Sequence, residues 1–217
     1  ETPTVRWNLL EDAPTVGYVH IGLLGERTHA EFQQAVADLR TQGMRSMVLD
    51  LRGNPGGILD AAVLIASQFL QDGNVLIERR RDGSQRAYPV RSGGIVRDLP
   101  VVVMVDGGTA SGAEIIAGAL QAADRAVLVG EKTYGKGSVQ NVYDLTDGSS
   151  LHVTVAKWFT PDERLIDGNG LEPDEAVPFP SEAHQKGEDP QLQRALQLLQ
   201  ANGFTALRKE PAMAILT

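Results

Sequence analysis

The chain has 217 residues, of which 42% are hydrophobic and 22% charged, and its formal net charge is −8 at pH 7. This length suits one globular domain with a sizeable core, and the acidic balance argues against nucleic acid or an anionic membrane surface as a partner. The absence of cysteine excludes disulfides, thiolate metal sites and a cysteine nucleophile. The four histidines are dispersed without paired ligand spacing, so no metal or other cofactor is expected. No apolar run approaches the length of a membrane span.

Strand and helix patterns alternate along the chain, which predicts an α/β fold. Apolar or alternating runs predict strands over 4–10, 16–21, 46–51, 75–81, 85–90, 101–105, 126–129, 138–145 and 149–159. Helical spacing or composition predicts helices over 29–42, 58–70, 110–122 and 191–201. Asp82-Gly83-Ser84 and Thr146-Asp147-Gly148 each separate two strands, so each predicts a β-hairpin.

Local patterns also indicate where elements begin and end. Thr28-His29-Ala30-Glu31 has the spacing of a capping box, so a helix is expected to begin at His29. Residues 181–190 are polar and are interpreted as a linker, and the helix after them is amphipathic. The tail over 204–217 has no clear pattern and is expected to dock on the core or on another subunit, which leaves a homo-oligomer open.

The stretch from Leu99 to Gln140 concentrates the candidate chemistry. A buried strand and the turn residues 106–109 precede a helix-favouring composition, so Ser111 falls at a strand-to-helix turn. Its hydroxyl would lie beside free backbone N–H groups and the positive end of the helix dipole. The alternative is that this serine is simply a helix N-cap, the commoner use of the residue.

A second loop in the same stretch carries a lysine, Lys136, between Gly135 and Gly137. In a parallel sheet this loop and the Ser111 turn would open at the same edge, where ligands bind in α/β folds. A lysine held in a desolvated site can lose its charge near neutral pH and take the proton of a serine. The alternative is a solvated loop charge, the usual state of a lysine.

A third candidate is the glycine-rich loop Arg52-Gly53-Asn54-Pro55-Gly56-Gly57, which follows the strand over 46–51. It holds more turn-forming residues than a connection to a helix needs. It lacks the Gly-Lys-Ser/Thr ending of a phosphate-binding loop. The alternative is an ordinary strand-to-helix connection.

Four segments together resemble the carboxyl-terminal processing, or tail-specific, proteases, which are Ser-Lys peptidases. They read LDLRGNPGG (49–57), TASGAE (109–114), TYGKGSVQ (133–140) and GNGLEPD (168–174). Their order fits the protease core of that family, as does the separation of Ser111 and Lys136, 136 − 111 = 25 positions. The resemblance extends from about residue 16 to residue 177 and implies a crotonase-like spiral of ββα units, with flanking β-hairpins and a short C-terminal helix.

The resemblance also implies an activity and a set of site residues. The chain would be a serine endopeptidase acting on a protein or peptide substrate near unstructured C-terminal tails. Ser111 would be the nucleophile and Lys136 the general base, with Gln140 orienting the lysine. The backbone N–H groups of Gly57 and Gly112 would form the oxyanion hole, where such donors stabilise the charge that develops on the carbonyl oxygen.

Two further residues have more than one interpretation. Glu114 matches a family position near the serine, but it is equally placed as a favourable charge in the first turn of a helix. Lys157 is a rival base for Ser111, disfavoured because it lies within a predicted strand rather than in a glycine loop.

Other functions remain open from the sequence. A crotonase-like acyl-thioester enzyme would use the same glycine donors, but needs a catalytic carboxylate and a coenzyme A pocket instead of a Ser-Lys pair. A non-catalytic binding module of the protease fold would tolerate loss of either dyad residue, and both are present. A Ser-His-Asp hydrolase is weaker, because the residues around Ser111 lack the nucleophile-elbow spacing.

The predicted organisation is an N-terminal extension over 1–15, a protease core over 16–180 and a linker, helix and tail over 181–217. Family members usually carry a PDZ domain before the core, and fifteen residues are too few for one. The resemblance therefore covers the core alone. It implies an exported bacterial enzyme in the periplasm or another extracytoplasmic compartment.

Overall fold

A computed structural model describes residues 2–201, except for the side chain of His184. The predicted tail after residue 201 lies outside the described residues. The strands are β1 (Val5–Leu10), β2 (Ala13–Ile21), β3 (Ser46–Asp50), β4 (Asn74–Arg80), β5 (Gln85–Pro89), β6 (Val101–Val105), β7 (Val127–Gly130), β8 (Ser138–Asp144), β9 (Ser150–Phe159) and β10 (Glu175–Ala176). The helices are α1 (Thr28–Thr41), α2 (Leu59–Phe69), α3 (Gly112–Ala122), α4 (Ser181–Lys186) and α5 (Pro190–Ala201).

Six of the strands form one sheet in the order β1-β2-β3-β6-β7-β10. β1 pairs with β2 in antiparallel fashion, and the pairs from β2 to β10 are parallel. Parallel neighbours need crossover connections. Helices lie in the connections from β2 to β3, β3 to β6 and β6 to β7, and the β8–β9 hairpin lies in the connection from β7 to β10. The loops that leave β3, β6 and β7 therefore emerge at one edge of the sheet, as expected from the sequence.

Helices cover both faces of this sheet. Alternate residues of β6 point to opposite sides, so Val101, Val103 and Val105 join a core with α1, α2 and α3. Val102 and Met104 face the other way and join a second apolar cluster that contains Ala195 of α5. Burial on both faces explains why β3 and β6 read as unbroken apolar runs.

The other sheet is antiparallel and has the order β5-β4-β9-β8. β4 pairs with β9 only over residues 156–159 of β9, so the rest of the β8–β9 hairpin pairs with itself alone. We call residues 140–155 the arm. Five large apolar side chains of the arm are solvent-exposed: Val142, Tyr143, Leu145, Leu151 and Val153.

The predicted α/β class is confirmed, and the predicted strands and helices are present with boundaries shifted by a few residues. The crotonase-like spiral stays a prediction. The segment predicted as a linker contains the short helix α4, and the amphipathic helix after it is α5.

The capping box predicted at the start of α1 is wrong. The helix begins at Thr28, its N-cap is Arg27, and no side chain caps it. Glu31 instead accepts hydrogen bonds from Thr4 N (2.7 Å), Thr4 Oγ1 (2.7 Å) and Val5 N (3.1 Å). The Glu31 carboxylate therefore binds the start of β1, whereas the local pattern predicted that it would cap the helix.

Candidate active site

Ser111 lies where the chain turns from β6 into α3, with backbone angles φ 54° and ψ −120°. A residue that merely caps a helix normally has extended backbone. A non-glycine residue at positive φ costs on the order of 1–3 kcal/mol and persists where its surroundings enforce it. Ser111 is the N-cap of α3 and shares a capping box with Glu114, as the alternative interpretation expected, but its backbone is not the extended one of an ordinary cap.

A carboxylate braces this turn against the neighbouring loop. Asp106 Oδ1 accepts the backbone N–H groups of Gly53 (2.9 Å), Gly108 (2.9 Å) and Thr109 (3.0 Å). The buried Thr109 hydroxyl donates to the Leu51 carbonyl oxygen at 2.9 Å. The loops that follow β3 and β6 are therefore fixed relative to one another.

The glycine-rich loop is organised around Asn54, which is fully buried. Its Nδ2 donates to the Ile21 carbonyl (2.7 Å), and its Oδ1 accepts the N–H of Gly56 (2.8 Å). Its own carbonyl accepts the N–H of Ala110 at 2.9 Å. One side chain thus shapes the loop, and its backbone joins the loop to the residue before Ser111.

The last two glycines of the loop lie so close to neighbouring residues that a larger side chain would not fit at either position. Gly56 has φ +95°, and a Cβ there would lie 2.7 Å from both Gly112 N and Ser111 Cβ. Gly57 has φ +140°, and a Cβ there would overlap the Leu24 carbonyl oxygen. Close approach and unusual backbone angles therefore explain why glycine occupies both positions.

Two backbone donors remain free beside the serine. Across residues 2–201, the N–H groups of Gly57 and Gly112 have no hydrogen-bond partner. They lie close together, because a Cβ on Gly112 would be 3.7 Å from Gly57 N. Two converging donors near a serine hydroxyl can hold a carbonyl oxygen as it becomes negative.

Glu114 links the serine turn to the lysine loop, although its side chain is completely buried. Its Oε2 accepts the N–H groups of Ser111 (2.9 Å) and Lys136 (2.8 Å). Its Oε1 accepts the Gly135 N–H (2.7 Å) and the Thr133 hydroxyl (2.5 Å). One carboxyl group therefore fixes the spacing of the two backbones that carry the candidate nucleophile and base.

The side chains of the predicted base and its orienting residue are less constrained. Lys136 is exposed, and within the described part of the chain its ammonium has no hydrogen bond or ion pair, including with Ser111. The Gln140 amide is also exposed and donates to Thr154 Oγ1 at 3.5 Å rather than to the lysine. Lys136 is therefore solvated, as in the alternative interpretation, rather than held in a desolvated site.

The rival groups have other partners. Lys157 forms an ion pair with Asp167, with a separation of 3.0 Å. His152 lies on the arm, exposed, with its Nε2 3.3 Å from Ser150 Oγ. Neither is hydrogen-bonded to Ser111.

A charged network lies immediately before the glycine-rich loop. Asp50 accepts the Tyr18 hydroxyl at 2.6 Å and two guanidinium nitrogens of Arg52. Burial raises the pKa of the Tyr18 hydroxyl, and the Asp50 carboxylate raises it further. Burial alone would lower the pKa of Arg52, but hydrogen bonds to Asp50 and Asp189 outweigh it, so its pKa is raised.

Sequence reasoning missed the residues that hold the candidate site in place. Asp106, Asn54 and Thr133 lie within or beside the motifs, but nothing in their spacing indicates which backbone atoms they hold. A polar residue that directly follows a buried strand, as Asp106 does, was the available signal.

Among the described residues no three His, Asp or Glu side chains cluster as a metal site would require. No helix within 2–201 is long and apolar enough to cross a bilayer.

Comparison with known proteins agrees with these features. The sequence model of peptidase family S41 matches residues 15–177. A carboxyl-terminal-processing protease of Synechocystis sp. is 40% identical over 205 residues, covering 92% of this chain and 48% of the relative. A carboxy-terminal-processing protease of Bartonella bacilliformis is 36% identical over 179 residues, covering 80% of this chain and 41% of the relative.

A solved structure is also similar. The photosystem II D1 C-terminal processing protease superposes with a TM-score of 0.74 and 34% sequence identity, covering 82% of this chain and 49% of that one. The chain thus spans about half the length, or less, of these relatives.

Proposed function

The chain belongs to peptidase family S41, and we propose that it is a serine endopeptidase that cleaves proteins near unstructured C-terminal tails. The observation that carries the proposal is the pair of free N–H groups on Gly57 and Gly112 beside Ser111. The names of the similar proteins support C-terminal processing as the activity. The family resemblance favours a periplasmic or other extracytoplasmic location.

In the proposed reaction, Ser111 Oγ attacks the carbonyl carbon of the scissile peptide bond while neutral Lys136 Nζ takes its proton. The N–H groups of Gly57 and Gly112 bind the oxyanion. The C–N bond then breaks, and the Lys136 ammonium returns the proton to the leaving amine. Water, deprotonated by Lys136, hydrolyses the acyl-enzyme and frees Ser111. Gln140 orients the lysine during these transfers.

Because Lys136 is exposed in the free chain, this mechanism requires the substrate to complete the site. A bound peptide would exclude water from the ammonium and so favour the neutral base. The rigid attachment of the Lys136 backbone to Glu114 leaves only the side chain to adjust.

The thioester alternative is disfavoured by Glu114. It is the carboxyl group bonded to the Ser111 turn, and its two oxygens already accept four hydrogen bonds from the protein. A carboxylate occupied in this way is poorly suited to moving a proton to or from a substrate. The binding-module alternative is separated from the enzyme by the experiment below.

The test is cleavage of a disordered protein by the wild type, Ser111→Ala and Lys136→Arg, each checked for folding by circular dichroism. Arginine keeps the charge but cannot act as a base, so both variants are expected to be inactive. Lys157→Arg serves as the matched control and should cut normally. A fluorophosphonate probe should label Ser111 in the wild type, as read by peptide mass spectrometry. A wild type that neither cuts nor reacts with the probe would overturn the proposal in favour of a binding module.

A further inference from the structure

Arg52 connects the glycine-rich loop to a part of the chain beyond the residues that match the family. Its side chain is 18% exposed. Its Nη1 donates to Asp189 Oδ1 (3.1 Å) and Gln191 Oε1 (3.0 Å), and its Nη2 donates to Asp189 Oδ2 (2.9 Å). The guanidinium also lies 5.8 Å from the centroid of the Phe179 ring. The match to the family's sequence model ends at residue 177, before these acceptors.

The acceptors are held in place by helix α5. Asp189 is placed as the N-cap of that helix, because its Oδ1 also accepts the N–H of Leu192 at 2.9 Å. Gln191 is fully buried, and its Nε2 donates to the Val177 carbonyl at 2.8 Å. The apolar side of α5 packs on the second face of the six-stranded sheet. The two acceptors are therefore fixed by helix α5, and Arg52 is hydrogen-bonded to them.

The other side of Arg52 is the glycine-rich loop. Its backbone N–H donates to Asp50 Oδ1 at 2.9 Å, so the same carboxylate holds its main chain and its side chain. The next residue, Gly53, donates to Asp106, and the loop continues to Gly57. A shift of the guanidinium would therefore move the start of the loop that carries one of the proposed oxyanion donors.

We propose that Asp189 and Gln191 are positioning residues for peptide cleavage, which fix the glycine-rich loop by holding Arg52 against helix α5. This inference rests on the proposed peptidase function. Oxyanion donors act mainly in the transition state, so a misplaced loop lowers kcat and leaves KM nearly unchanged. A role confined to stability would alter neither constant in the folded fraction.

The test compares Asp189→Asn with a matched control, Glu175→Gln. Asparagine is as good a helix cap as aspartate but carries no charge, so α5 should still begin at the same place. Glu175 also contacts α5, through an ion pair with Arg194 (3.2 Å) that does not include Arg52, so its loss should leave the guanidinium in place. The measurements are kcat, KM, the unfolding midpoint and amide hydrogen exchange over residues 52–58.

The expected result for Asp189→Asn is a fall in kcat of about tenfold, KM within about twofold of the wild type, and faster exchange over 52–58. Glu175→Gln should match the wild type in all of these. An unchanged kcat and exchange rate in Asp189→Asn, or an equal fall in kcat in both variants, would overturn the inference. If the wild type cleaves nothing, the peptidase proposal fails, and exchange alone then decides whether Asp189 fixes the loop.

Discussion

The two halves of the proposed dyad have unlike surroundings. The backbone of Ser111 is enclosed by the Gly56 backbone, the Asn54 network and the Glu114 carboxyl group, and its strained φ of 54° is enforced by them. The backbone of Lys136 is also hydrogen-bonded to Glu114, but its side chain is exposed to solvent.

This difference indicates which parts of the reaction are prepared in advance. Donors and nucleophile gain most from fixed positions, because a preorganised site does not have to reorient its dipoles during the reaction. A base that must become neutral gains instead from burial, and a substrate can supply that burial on binding. In the proposed mechanism, the serine half is therefore fixed by the protein itself, and the lysine half would be completed by the bound substrate.

Gly56→Ala is the strongest test of how tightly the turn that carries Ser111 is enclosed. The new Cβ would lie 2.7 Å from Gly112 N and Ser111 Cβ at φ +95°, so the serine turn must shift. We expect cleavage to fall by about a hundredfold or more, comparable to the loss of an oxyanion donor. Gly53→Ala is the control, since its Cβ would meet nothing within 4 Å and should cost only about 1–2 kcal/mol. Full activity in Gly56→Ala would show that the serine turn is not tightly enclosed.

The link that Glu114 makes between the serine turn and the lysine loop is tested by Glu114→Gln. An amide would point its NH₂ group at N–H donors and leave at least one of them without an acceptor in a buried site. We expect the free energy of unfolding to drop by about 1–3 kcal/mol and kcat to fall by at least about tenfold. Urea unfolding and cleavage kinetics measure the two effects. The exposed Glu172→Gln is the control, and equal behaviour of both variants would contradict the role given to Glu114.

The strain at Ser111 is tested by comparing glycine with alanine at this position. Glycine relieves the positive φ but gains freedom in the unfolded chain. We expect Ser111→Gly to be more stable than Ser111→Ala by about 1 kcal/mol, with both inactive. Thermal unfolding measures this difference. Equal midpoints would mean that the serine turn carries no strain.

The smallest effect is expected from Lys157→Gln. Its ion pair with Asp167 is half-exposed, so removing it should cost about 0.2–1 kcal/mol. Cleavage kinetics should stay within about twofold of the wild type. Loss of cleavage would indicate that Lys157, which lies on β9, is the base instead of Lys136.

The sequence predicts the order of elements and the location of the site well, because both follow from local signals. Buried parallel strands read as apolar runs, and the motifs fall in the loops after β3, β6 and β7. Long-range polar contacts are not written in local spacing. Glu31 has the spacing of a helix cap yet binds Thr4, and Glu114 reads as a first-turn charge yet joins two loops. The exposure of Lys136 is likewise not indicated by its glycine-flanked motif.

Helix α5 lies beyond the segment matched by the family's sequence model, yet it packs on the sheet within that segment. The family match stops at residue 177, yet the face of the sheet formed by Val48, Val102 and Met104 is covered by the helix that starts at Pro190. A chain cut at residue 177 would expose that face to water and remove two acceptors of Arg52. Truncation experiments should therefore keep every residue through Ala201.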